Sequence, residues 1–320
     1  MRLVIYRTPA NSQRRVGFLH HEAVIDPLLV GRPDDASIDF SDTASFIRGG
    51  KQALAAAYTC ISQATAAATF ALADVQLCAP ILPTTILCAG SNYRQHNREK
   101  ANTLTSGKEP EFFVKTADCV VGPDEPIVHD TLLTQKLDCE TELAIVIGKP
   151  GRHIPIERAL EHVFGYTIVN DVTARDRQVR RSPEGFTWYE LGRGKAFDSS
   201  APLGPCIVTG DEIPDPQSLA LKTRINGELR QSSTTADMIW SCAELIHFFS
   251  INFTLKPGMV IITGTPAGTA WSTDTELGGK WQALPGLVPA TRYCQAGDVI
   301  ESEIERIGIL RNRVVAGERT

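Results

Sequence analysis

The sequence predicts an α+β protein that is mainly β: a curled, mixed β-roll or sandwich with peripheral helices, plus a small N-terminal α+β domain. Three observations carry this reading. Many short apolar runs are separated by turn residues, drawn from 25 Gly and 19 Pro, and such spacing favours strands joined by tight turns. Strand and helix patterns do not alternate regularly, which argues against a doubly wound sheet. A single Ala-rich stretch, 41–73, has apolar residues at helical spacing.

Taken in order, residues 1 to about 32 read as strands at 3–6, 15–19 and 23–25, with turns between. In 41–73, Ser41 is the expected N-cap, and Gly49-Gly50 splits the segment into two helices. Pro80 and Pro83 mark a boundary after Cys78, which predicts a small domain at 1–78 and a larger one at 79–320. Strands are expected at 85–88, 112–115, 119–121, 142–147, 166–169, 205–208, 221–225, 259–262 and 299–309. Helices are expected near 93–101, 155–163, 172–180 and 238–249. Asn226-Gly227 predicts a tight hairpin between 223–225 and 228–230.

The chain has 320 residues, 42% of them apolar and 22% charged, the balance of an ordinary globular protein. Its net charge of −5 gives no reason to expect nucleic acid or an anionic membrane as partner. No apolar run approaches the roughly eighteen residues of a membrane helix, and residues 1–9 lack signal-peptide features. Eight scattered cysteines with no C-x-x-C pair suggest neither a zinc site nor a disulfide framework, and fit a reducing cytoplasm.

The most informative stretch is 137–148, Leu-Asp-Cys-Glu-Thr-Glu-Leu-Ala-Ile-Val-Ile-Gly. On a strand, Leu137, Cys139, Leu143, Ile145 and Ile147 share one face, while Asp138, Glu140 and Glu142 share the other. Same-face neighbours sit roughly 7 Å apart, so the acids repel unless a cation lies between them. A hard divalent ion suits carboxylate oxygens; an edge strand with a solvated acidic face is the plainer alternative. Asp171 ends an apolar strand before a helical pattern, where it either caps a helix or projects as a ligand. Arg175 and Gln178 follow it along one helical face and suit a carboxylate-bearing substrate; a solvated face is the alternative. His96 and Glu99 are one helical turn apart, a spacing that gives an imidazole a fixed tautomer and added basicity, although surface pairs of this kind are common. Lys195, in Gly194-Lys195-Ala196-Phe197-Asp198, meets neither nucleotide-loop pattern. It is either an oxyanion or carboxylate partner in a dry site or a solvated loop residue. Thr263-Gly264-Thr265-Pro266 offers hydroxyls and N–H groups at a strand end.

Several segments resemble, in order, motifs of the fumarylacetoacetate hydrolase superfamily. They are Ala89-Gly90-Ser91-Asn92-Tyr93-Arg94-Gln95-His96, Phe112-Phe113-Val114-Lys115, Glu140-Thr141-Glu142 with its apolar continuation, 165–178, the Lys195 segment, Pro202-Leu203-Gly204-Pro205, Asn226-Gly227-Glu228 and Thr263-Gly264-Thr265-Pro266. The resemblance spans about 85–310. It implies a Mg²⁺ site (Mn²⁺ or Ca²⁺ as alternatives) at Glu140, Glu142 and Asp171. It also implies a catalytic His96–Glu99 pair on a lid-like helix with Lys195, and Tyr93, Arg175, Gln178 and Thr265 around a 2-oxo acid or β-diketo acid. Similar proteins are usually homodimers. The activity so implied is hydrolysis of a carbon–carbon bond in an acylpyruvate. The alternatives are an oxaloacetate-type decarboxylase or an oxo-dioate isomerase or hydratase using the same site; a non-catalytic acid sensor is disfavoured by the full set of acids and base. Residues 270–296 look longer than in similar proteins, which predicts a reshaped pocket mouth.

Overall fold

The computed structural model describes residues 1–31, 38–100 and 107–317. Its long sheet runs Thr69–Ala71, Ala23–Ile25, Asn11–His20, Arg2–Thr8, Ala201–Thr209, Val163–Asn170, Thr141–Ile147, Val260–Ile262, Ile86–Gly90, Glu111–Lys115. Most of these pairs are antiparallel; Val260–Ile262 and Ile86–Gly90 are parallel. A second sheet runs Glu228–Thr234, Ala220–Ile225, Val299–Ile304, Gly308–Ala316, Ile127–His129. The α+β, mainly β expectation is met. The division proposed at residue 78 falls at the end of the Gln76–Cys78 strand, and hydrogen bonds between Arg2–Thr8 and Ala201–Thr209 carry one sheet across it.

Thr141–Ile147 lies in the middle of the long sheet, paired with Val163–Asn170 on one side and Val260–Ile262 on the other. Period-two alternation sets its packing. Leu143, Ile145 and Ile147 meet Leu221, Ile304 and Leu310 of the second sheet, together with Leu245, Ile246 and Phe249 of the Cys242–Asn252 helix. Ala144 and Val146 lie in the opposite cluster with Val169, Leu203, Phe46 and Ile47. Each large aliphatic side chain buried this way contributes about 1.5–3 kcal/mol. Both faces are covered, so all seven residues are buried. Glu142 therefore lies on a central strand with Glu140 just before it, both are buried, and the solvated edge is ruled out.

The acidic stretch is not one continuous strand. Leu137–Asp138 pairs with Thr173–Ala174, and the ladder resumes only at Thr141. Side chains take over the backbone in between: Cys139 N–H donates to Asp138 Oδ1, and Glu140 N–H donates to Asn170 Oδ1. This break turns the strand end toward the cavity described below.

Several helices differ from expectation. The first is capped by Asp42, whose carboxylate accepts from Ser45 N–H, and not by Ser41. The second ends at Ser62, and the residues beyond it form short strands and 3-10 turns. The 155–163 segment is a 3-10 helix, Ile156–His162. The helix expected at 172–180 shrinks to one turn, Arg175–Gln178, between two short strands. Asp171 therefore caps nothing. The lid-like helix is Arg94–Arg98; Ala101, its expected end, lies outside the described residues. The 238–249 helix shifts to Cys242–Asn252, where a Ser241/Glu244 capping box fixes its start. The hairpin at Asn226-Gly227 forms as expected, with both residues at positive φ.

Candidate active site

Glu140 precedes the central strand, Glu142 lies within it, and Asp171 follows the neighbouring Val163–Asn170 strand. Asp171 N–H donates to Glu140 O at 2.8 Å, which holds the two strand ends together. As a result, one oxygen from each of Glu140, Glu142 and Asp171 lies within 4.8 Å of the others, and all three residues are buried. Cations surround them. Lys195 Nζ lies 2.6 Å from both Glu140 Oε2 and Asp171 Oδ2. Arg175 donates to Glu140 Oε1 at 2.5 Å, Asp138 Oδ2 at 2.8 Å and Gln178 Oε1 at 2.9 Å. Lys115 Nζ lies 2.9 Å from Asp171 Oδ1, but its protons are directed at the carbonyls of Lys195 and Ser200 and at Ser200 Oγ. Asp171 Oδ1 is thus buried without a hydrogen bond.

Electrostatics divides the acids. Burial opposes charge on Glu140, but Arg175 and Lys195 outweigh it and hold this carboxyl well below its usual range. Burial, then Asp171 and Glu140, push Glu142 well above it; its one strong donor is Gly264 N–H, at 2.6 Å. An unbonded oxygen, a disfavoured carboxylate and three hard donors in mutual reach fit a divalent ion of the Mg²⁺, Mn²⁺ or Ca²⁺ kind.

His96 and Glu99 face the same cavity. Their side chains meet at 3.1 Å through His96 Nδ1 and Glu99 Oε2, and both are buried. Among the described residues, Nε2 of His96 has no partner. Burial, followed by the charge of Lys100, drives the imidazole pKa well below its ordinary value, so it is neutral at pH 7. Burial raises Glu99 to about 8. The other Glu99 oxygen accepts from Gly268 N–H at 2.8 Å. Gly268 has φ +108°, and a Cβ there would lie 1.9 Å from Arg230 O. We expect Gly268→Ala to cost about 1–3 kcal/mol through backbone strain and to slow turnover by displacing Glu99; thermal melts and steady-state rates measure the two effects.

The cavity has an empty volume of about 450 Å³, solvent at its mouth included, and is lined by His96, Glu140, Glu142, Asp171, Arg175, Gln178, Lys195 and Thr265 among others. Of the residues expected from sequence, two stand apart from it: Glu99 lies behind His96, and Tyr93 is absent from the lining, its ring packed in the hydrophobic core and its hydroxyl without a partner among the described residues. Arg175 is wholly buried and engaged with protein groups. Thr265 is held between Thr141 O and Gln231 Nε2. Sequence reasoning gave no site role to Lys115, Lys100, Glu111 or Tyr189; it placed Asp138 only on the acidic face and Trp271 only within the 270–296 segment. Alternation along Glu111–Lys115 would have placed Glu111, Phe113 and Lys115 on one face. Asp138 was visible beside the other acids, and it accepts from the backbone N–H groups of Ala270 and Trp271.

The sequence model of the family described as "Fumarylacetoacetate (FAA) hydrolase C-terminal" matches residues 85–315. The chain belongs to the fumarylacetoacetate hydrolase family. Among its relatives is oxaloacetate tautomerase YisK of Bacillus subtilis (strain 168), 40% identical over 247 residues, 77% of this chain and 75% of that protein. Maleylpyruvate hydrolase from Sphingobium sp. SYK-6, solved with manganese (II) ion and pyruvate, superposes with a TM-score of 0.75 at 27% identity, covering 99% of this chain and 100% of that one. Fumarylacetoacetate hydrolase from Exiguobacterium antarcticum gives a TM-score of 0.75 at 35% identity, with the same coverage. This family member shares its mixed β fold with those hydrolases. Its buried acid triad is consistent with a divalent metal centre. No helix among its described residues is long and apolar enough to cross a membrane, and all eight cysteines are buried free thiols.

Proposed function

We propose that this family member is a divalent-metal-dependent enzyme that moves a proton at the carbon beside the oxo group of a 2-oxo acid. The reaction class is keto–enol tautomerisation of an oxaloacetate-like substrate. One observation carries the reading: a neutral, buried imidazole with a free second nitrogen lines the same cavity as three convergent carboxylates. Similarity to an oxaloacetate tautomerase supports it.

Glu140, Glu142 and Asp171 would hold the ion, Mg²⁺ in our reading, with Mn²⁺ or Ca²⁺ as substitutes. Such an ion supplies a Lewis acid to the adjacent oxygens of a 2-oxo acid. His96 takes the proton from substrate carbon and delivers it to the oxo oxygen, or carries it back from the enol hydroxyl to carbon in the reverse direction, with Glu99 fixing the ring. Lys195 and Arg175 hold Glu140 ionised, and Lys195 keeps positive charge beside the oxygen that becomes negative. Burial works against that charge, but Asp171 and Glu140 raise the Lys195 pKa.

Carbon–carbon hydrolysis of an acylpyruvate is the second reading, with His96 activating a water instead. The superposition on maleylpyruvate hydrolase favours it. We further propose a homodimer and a cytoplasmic location; the buried free thiols support the latter. To test the reading, chelator-stripped protein is given oxaloacetate or acylpyruvates, with and without Mg²⁺ or Mn²⁺. Metal-dependent loss of the oxaloacetate enol band, faster than acylpyruvate cleavage, is expected. Cleavage without tautomerisation moves the assignment to the hydrolase, and activity equal with and without metal refutes both.

A further inference from the structure

The inner end of the cavity is electrically committed. Arg175, Lys195 and Lys115 each lie in an ion pair with Asp138, Glu140 or Asp171. With Glu142 the cluster holds four carboxylates against three cations, so a divalent ion leaves one positive charge, enough for the head carboxylate of a 2-oxo acid. A second carboxylate on the substrate needs another partner. Lys100 lines the same cavity. Among the described residues it has no carboxylate within ion-pair distance, and only one of its protons is engaged, with Ser91 Oγ at 2.9 Å. The Ser91 hydroxyl in turn donates to Glu111 Oε2 at 2.8 Å, which fixes it as an acceptor for Lys100.

Trp271 connects the two ends. Lys100 Nζ lies 5.2 Å from its ring centroid, and the Arg175 guanidinium carbon lies 5.1 Å from it. The indole is itself pinned. Its backbone N–H donates to Asp138 Oδ2, and its Nε1–H donates to Leu277 O. Lys280 N–H, further along the long 270–296 segment, donates to Glu99 O at 2.7 Å. One flat, fixed wall thus carries a committed cation and an uncommitted one.

Resting on the 2-oxo acid reading above, we propose that Lys100, with Ser91 and the Trp271 indole, forms a second anion subsite that selects substrates ending in a carboxylate. The substrate class is a 2-oxo diacid short enough to span one indole. Its head lies toward the acid triad, and its tail accepts from the Lys100 ammonium, whose engaged proton among the described residues is the one on Ser91 Oγ. A charge-assisted hydrogen bond of this kind is strong when partly desolvated.

The test is calorimetry on the full-length, Mn²⁺-saturated protein with 2-oxoglutarate and 2-oxopentanoate, which differ only in the terminal carboxylate. Wild type is expected to prefer 2-oxoglutarate by about tenfold to a hundredfold. Lys100→Met should erase that preference while leaving 2-oxopentanoate binding and the melting temperature unchanged, and Lys100→Arg should keep most of it. No preference in wild type, or an equal loss of both ligands in Lys100→Met, overturns the subsite. Turnover runs in parallel: an intact preference with no turnover of any 2-oxo acid refutes the function and leaves the subsite standing. A wild type without the preference but with turnover intact refutes the subsite alone, and failure of both ligands to bind wild type refutes both.

Discussion

Replacing Asp171 with asparagine is expected to lower kcat/KM by about a thousandfold and Mn²⁺ affinity by more than about a hundredfold. The side chain keeps its shape but loses its charge, and one of its two oxygens becomes an amide nitrogen that cannot ligate a hard cation. Two effects oppose each other in the metal-free protein. Lys115 and Lys195 each lose an ion pair, while Glu142 loses a repelling neighbour. The metal-free melting temperature should therefore move little. The stabilisation that metal gives is different: wild type gains about 2.7 kcal/mol at a hundredfold excess over Kd, and Asp171→Asn should gain almost none. Melts with and without Mn²⁺ measure both quantities. A variant stabilised as strongly as wild type removes Asp171 from the metal site.

His96→Ala is expected to cut kcat by about 10²–10⁴-fold while leaving Mn²⁺ binding intact, because the convergent ligand oxygens belong to Glu140, Glu142 and Asp171. Decarboxylation needs no base at carbon, so residual oxaloacetate decarboxylation should survive the substitution. The pair also predicts a pH limb. When Glu99 is protonated it donates to Nδ1, which leaves the ring proton on Nε2 and blocks that nitrogen as a base. Ionised Glu99 accepts from Nδ1–H and frees Nε2. Since burial raises Glu99 to about 8, kcat should rise with pH through about 8 and then level. Glu99→Gln should abolish the limb. Measuring kcat at saturation keeps the Lys100 titration, also brought by burial to about 8, from distorting the profile. A wild-type kcat that falls through this range contradicts the assignment.

The parts of the fold that depend on local period were legible. Alternation placed Leu143, Ile145 and Ile147 on one face before any partner was known, and Asn226-Gly227 announced its hairpin. Depth was not legible. Glu140 and Glu142 could be solvated or buried until the Val163–Asn170 and Val260–Ile262 strands closed over both edges of Thr141–Ile147. The spacing of Asp171, Arg175 and Gln178 mimicked a helical face. The backbone there instead bonds across the fold, with Val172 N–H to Ser200 O and Arg175 N–H to Lys136 O, so only one turn forms. Lys115 and Lys100 were given no role because a lysine's role depends on what surrounds its ammonium, which no local pattern encodes. Trp271 sits in the 270–296 segment, whose length signalled a changed pocket mouth but not which residue would line it.

The most direct measurement is an anomalous difference map from a crystal soaked in Mn²⁺ at the manganese edge. A single strong peak within about 2.0–2.6 Å of oxygens from Glu140, Glu142 and Asp171 is expected. A peak held by other residues, or none at saturating Mn²⁺, would contradict the metal centre on which the proposed chemistry depends.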